Sequence, residues 1–109
     1  GAAGAAGTPG GAPLPRTETA TAVRYLLQLL AEKAPGNTVE VRVPPFGAVQ
    51  VVEGPRHTRG TPPNVVETDA ATWIDLATGV EEWADALASG RIAASGTRAD
   101  LAALLPLRP

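Results

Sequence analysis

The feature that most constrains this chain is a change of hydrophobic period across Pro35 and Gly36. Before them, TETATAVRYLLQLLAEKAPG places Val23, Leu26, Leu27 and Leu30 at i, i+3, i+4 and i+7 and turns Arg24, Gln28 and Glu32 away. That spacing is one stripe of an α-helix, which Pro35 and Gly36 bring to an end. After them, NTVEVRVPPFG alternates, with Glu40 and Arg42 between Val39, Val41 and Val43. Period two describes a strand with one buried and one wet face. A chain that must bury both a helical stripe and a strand face in one core has to layer helix on sheet.

The remaining segments extend this layering. Pro44, Pro45 and Gly47 form a turn into AVQVVEG, so the first two strands are expected to pair as an antiparallel hairpin. NVVETD is short and β-branched and reads as a further strand. Asp69 is a suitable N-cap for DAATWIDLATG, which stops at Gly79. VEEWADALASG carries Val80, Trp83, Ala84 and Leu87 at helical spacing and stops at Gly90. RIAAS reads as the last strand, and TRADLAALL as a terminal helix with Leu101, Leu104 and Leu105 on one face. The order α, hairpin, β, α, α, β, α predicts an α+β layer arrangement, not a doubly wound sheet. Residues 1–16, almost all Gly, Ala and Pro, have little to bury and read as a disordered leader; residues 17–109 read as the folded domain.

At 109 residues the chain has material for one core, burying roughly two thirds of the surface its unfolded form exposes. Trp73, Trp83, Tyr25 and Phe46 are its only aromatics, so that core must come from Val, Leu, Ile and Ala. A formal charge of −2 supplies no field to gather a polyanion, and nucleic acid is not expected as a partner. Cysteine is absent, which removes disulfides and thiolate chemistry. No apolar run approaches the ~18 residues of a transmembrane segment. The start, GAAGAAGTPGGAPLP, lacks the basic region of a signal peptide. A cytoplasmic location is the expectation.

Catalytic chemistry finds little support. Ser89 and Ser95 each sit in an A-S-G that reads as a helix end or turn, without the G-x-S-x-G elbow. One histidine and no cysteine give no metal site, and Glu81 with Asp85 reads as a solvated helix face. No phosphate-cradling glycine loop is present. No catalytic residue, metal or cofactor is therefore assigned, and the chain reads as a non-enzyme. The loop GPRHTRGTPPN is the candidate anion or head-group site: Arg56, His57 and Arg59 stand among Gly and Pro, with donors suited to a phosphate or carboxylate. The plainer reading pairs Arg56 and Arg59 with Glu53 and Glu67. Trp73 and Trp83 lie on apolar helix stripes, where core residues are commoner than ligand walls.

The stretch PPNVVETDAATWIDLATGVEEWADALASGRIAASGTRADLAALLPL resembles the carboxy-terminal half of a sterol-carrier-protein domain. The resemblance rests on Thr68–Asp69 at a strand end, Ala77–Gly79 closing a short helix, Ala84–Gly90, Arg91–Gly96 and Asp100–Leu105. VEVRVPPFGAVQVVEGPRHTRGTPPNVVETD is similar to the compact bacterial branch of that family, found especially in actinobacteria. It covers roughly residues 20–107. What it implies is a five-stranded, mostly antiparallel sheet covered on one face by helices, with an apolar tunnel between them. A non-enzymatic carrier of a fatty acyl, acyl-CoA or isoprenoid-like lipid follows, its pocket walled by Trp73, Ile74, Trp83, Leu87, Ile92, Leu101, Leu104 and Leu105. The alternative is a protein-interaction module of the same fold with a closed pocket, working as a homodimer or with a partner enzyme. The end, LLPLRP, lacks an S-K-L tail.

Overall fold

The first helix of the computed structural model, which describes residues 15–54 and 64–107, is α1 over Arg16–Lys33. It starts at the last residue of the segment read as leader; positions up to 14 lie outside the described residues. Ala20, Val23, Leu27 and Leu30 are its buried stripe, and Leu26 packs at the edge of the core. On the wet side, Gln28 donates to Glu32 one turn on. Fully burying a leucine is worth about 1.5–3 kcal/mol, so the stripe outweighs any propensity effect on this helix.

Four strands follow: β1 over Val39–Val43, β2 over Gly47–Val51, β3 over Asn64–Thr68 and β4 over Ile92–Ser95. They form one sheet in the order β2-β1-β3-β4. The described residues thus hold four strands rather than the five expected from the resemblance. The hairpin β1–β2 and the pair β3–β4 are antiparallel, whereas the central pair β1–β3 is parallel. The class is α+β with a mixed sheet, antiparallel in two of its three pairings. Val39, Val41, Val43, Val51, Val66 and Ile92 enter the core, while Glu40, Arg42 and Glu67 form an ion-pair cluster at 3.2 and 3.8 Å. Exposed pairs of this kind contribute little stability.

α2 spans Ala70–Thr78 and α3 spans Trp83–Ala88. Asp69 caps α2 as expected, accepting from the Thr72 N–H at 2.8 Å, and Gly79 ends it in the left-handed region at φ 88. α3 is shorter than its sequence spacing suggests. Glu82 is extended and occupies the N-cap, so Val80 precedes the helix and is 76% exposed instead of joining the apolar stripe. In place of the expected terminal helix stands one 3₁₀ turn, Ala102–Leu104. The residue before a proline is disfavoured in the α region, and Leu105, which precedes Pro106, is extended at φ −110, ψ 147. Too few residues then remain to nucleate a helix.

The parallel pair is made possible at one end of the sheet. Val39 is the register partner of both Val51 and Asn64, so β2 ends and β3 begins where β1 starts. The crossing of the end of β2 with the segment leading into β1 is tight. The Thr38 N–H is shared by the carbonyls of Val51 and Val52, each at 3.1 Å, and the Val52 N–H donates to the Ala34 carbonyl at 2.7 Å. Val52 holds φ 71, a left-handed conformation that costs a β-branched residue on the order of 1–3 kcal/mol. Gly36, at φ 148, lies where a Cβ would run into the Val52 carbonyl. Asn64 is 3% exposed and joins three segments: its Nδ2 donates to the Thr38 carbonyl and its Oδ1 accepts from the Arg98 N–H, both at 2.9 Å.

Leaving buried partners unsatisfied costs ~1–3 kcal/mol. Asn64→Ala is therefore expected to lower the urea midpoint by an amount equivalent to about 2 kcal/mol, with the m-value unchanged. Gly36→Ala, which meets both a backbone clash and an unfavourable φ, is expected to be the more damaging. Equal stability of either variant and the parent in urea titration would contradict this account of the crossing.

Candidate functional site

The depression that best suits a ligand lies where α2, the Gly79–Glu82 turn, α3 and the C-terminal segment meet. It is a groove of about 410 Å³ lined by Leu76, Gly79, Glu81, Glu82, Trp83, Ala84, Ala102, Leu105 and Pro106. It is more enclosed than the depressions along α1 and on the outer side of the hairpin. Leu76 and Trp83 are its most buried lining residues, while Glu82 and Ala84 are open to solvent.

One wall is the segment after Leu101. Leu101 is 1% exposed and anchors it in the core. The Leu107 N–H then donates to the Ala77 carbonyl at 2.8 Å, and the Lys33 ammonium, at the end of α1, donates to the carbonyls of Leu104 at 2.8 Å and Pro106 at 3.4 Å. The opposite wall is set by ionic contacts. Arg91, just ahead of β4, donates from its guanidinium to Glu81 and, through Nε, to the Ser89 hydroxyl at 2.8 Å.

The residues expected to wall a pocket meet different fates. Trp83 and Leu105 line the groove. Trp73, Ile92 and Leu101 are 1%, 4% and 1% exposed and belong to the packed core. The Trp73 indole N–H donates to the Val23 carbonyl of α1 at 3.3 Å, tying α2 to α1. Ile74 and Leu104 are partly buried against that core, and Leu87 is 43% exposed, one turn after Trp83. Arg56, His57 and Arg59 lie outside the described residues. Glu67, one of the acids considered as their partner, contacts Arg42 at 3.8 Å.

Sequence reasoning missed Leu76, Ala84, Ala102 and Pro106, and it read Glu81 as part of a solvated helix although it precedes α3 and binds Arg91. For Leu76 the signal was present: it stands three residues after Trp73, on the same helical face. For Ala102 and Pro106 there was none, because their role depends on the C-terminal segment not being helical. Among the described residues no group of three or more His, Cys, Asp or Glu is placed to hold a metal ion, and no helix is long and apolar enough to cross a membrane.

A family model described as a bacterial SCP ortholog, SCP denoting sterol carrier protein, matches residues 15–107. The chain belongs to that family. No curated protein matches it. The match spans every element described above, from α1 to the wall of the groove. SCP-like folds are in general carriers rather than enzymes, and the groove of this SCP domain is accordingly considered as a binding site.

Near the groove, burial pushes the Asp75 carboxyl above its ordinary value of 3.8, and the neighbouring Glu81 carboxylate adds to the shift. A carboxyl with a raised folded-state pKa is favoured by folding in its protonated form, so its cost to stability is absent in acid and develops as the pH rises through the folded pKa. Asp75→Asn is therefore expected to raise the unfolding temperature at neutral pH. The advantage should fade below the ordinary carboxylate value; a gain independent of pH in thermal scans would show that ionisation is not its source.

Proposed function

We propose that this SCP domain is a cytoplasmic, non-enzymatic binding or carrier domain for an apolar ligand, an acyl or isoprenoid-like tail, seated in the groove between α2, α3 and the C-terminal segment. The carrying observation is the groove itself, whose floor combines Leu76, Trp83 and Leu105. Trp83 and Leu105 make direct contact in this reading. Trp73, Ile92 and Leu101 support the wall from the core, Ile74 and Leu104 fill the space behind it, and Leu87 extends it outward. Among the described residues, Val80 and Leu87 are two of the three large apolar side chains that stand exposed, and both belong to the segment that forms the groove. Exposed apolar surface beside a concavity is a common mark of a binding site.

The energetics permit the proposal. Burying a methylene is worth about 0.8 kcal/mol, so ten of them supply roughly 8 kcal/mol before association entropy is subtracted. A groove open to solvent buries only part of a tail, and affinities in the micromolar range follow. Such a groove also avoids the cost of an empty apolar cavity, ~24 cal/mol per Å³, because water can occupy it.

A second reading draws on the same exposed Val80 and Leu87: a surface for a second copy or a partner enzyme, with the groove covered by protein. Thermal unfolding with medium-chain lipids separates the two. A ligand at a hundred times its Kd stabilises the fold by ~2.7 kcal/mol, which for a domain of this size raises the midpoint by roughly 10 °C or more. Ala84→Trp, placed to fill the groove from an exposed position, should abolish the rise without lowering the unliganded midpoint. No rise at any chain length, or an equal rise in the variant, would remove the carrier reading.

A further inference from the structure

Within the carrier reading, on which this step rests, the groove carries information about the head of its ligand. Among the described residues, its only ionisable lining residues are Glu81 and Glu82. Of these, Glu81 is matched by Arg91, which is also bonded to Ser89. Lys33, the other cation in contact with groove-forming segments, is directed onto the carbonyls of Leu104 and Pro106. Neither cation lines the groove. Glu82 remains. It is exposed, makes no capping bond although it occupies the N-cap of α3, and forms no ion pair among the described residues. The next residue is Trp83, which is buried and lines the groove.

We infer that the groove selects an amphiphile with a cationic head, a protonated or quaternary amine, its tail on Leu76, Trp83 and Leu105 and its head at Glu82. An ammonium there meets an uncommitted carboxylate and lies within reach of an indole face, a pairing that favours organic cations. A carboxylate or phosphate head at the same place meets repulsion from Glu82, with no free cation among the described lining residues to offset it. At a separation of about 5 Å in a largely aqueous setting, one charge changes affinity about fourfold in either direction, so an ammonium and a carboxylate of equal chain length should differ by about tenfold at low salt. The difference contracts as salt screens it.

The test compares decyltrimethylammonium, decanol and decanoate, each below its micelle concentration, on the full chain. Binding is followed by the Trp83 indole resonance in ¹⁵N spectra of the unaltered protein. Fluorescence of a Trp73→Phe variant, in which Trp83 is the sole tryptophan, gives a second readout. The ammonium is expected to bind about tenfold more tightly than decanoate at low salt, with decanol between them. Glu82→Gln, whose side chain makes no cap bond and no ion pair among the described residues, should bring that ratio down about tenfold, to near one, and leave decanol unchanged. Decanoate binding as tightly as the ammonium, or a ratio indifferent to Glu82→Gln, overturns the cationic preference while the carrier reading stands. If none of the three moves the Trp83 signal, both fall together.

Discussion

Asn64 holds together the place where this fold is decided. A hairpin alone would leave β1 with one partner; adding β3 on its other side, in parallel, requires the chain to pass across the end of β1. Backbone groups forced together at such a crossing must be satisfied without water, and the buried amide of Asn64 does so by taking the Thr38 carbonyl with one atom and the Arg98 N–H with the other. The same side chain thereby fixes the start of β3, the approach to β1 and the segment after β4. The strained φ of Val52 and the requirement for glycine at position 36 are local costs of the route, tolerated because the Val core on both sides of it is much larger in energy.

Where the hydrophobic period was regular, the sequence was legible. The stripe of α1, the alternation of β1, the hairpin and the Asp69 cap all appear where local spacing and turn chemistry placed them. What escaped depended on partners distant in sequence. Nothing in NVVETD distinguishes a strand that will run parallel from one that will run antiparallel, and Asn64 carries no mark of its two buried bonds. Val80 and Leu87 fit a helical stripe on spacing alone, yet α3 begins only at Trp83, and both side chains remain exposed. The terminal leucines misled in the opposite way. Their spacing is helical, but Pro106 dictates an extended Leu105 and the helix reduces to a single turn.

The two tryptophans show how similar local patterns reach different roles. Both sit on helical stripes. Trp73 is enclosed because α2 lies against α1, which offers the Val23 carbonyl to its indole N–H. Trp83 begins a shorter helix, and part of its surroundings is the groove. A resemblance at the family level anticipated an apolar space beneath the helices. Among the described residues a groove lies between α2, α3 and the C-terminal segment, lined by Glu81 and Glu82 as well as by apolar side chains, and the loop of Arg56, His57 and Arg59 lies outside the described residues.

The C-terminal wall of the groove is moored by a backbone hydrogen bond to Ala77 and a lysine bridge from α1, contacts that do not involve the exposed side chain of Ala102. Leu105, by contrast, packs against the core, which also holds Leu76 and Trp83. Lineages carrying this architecture can exchange the residue at position 102, and with it the outline of the groove, without first having to rebuild the interior.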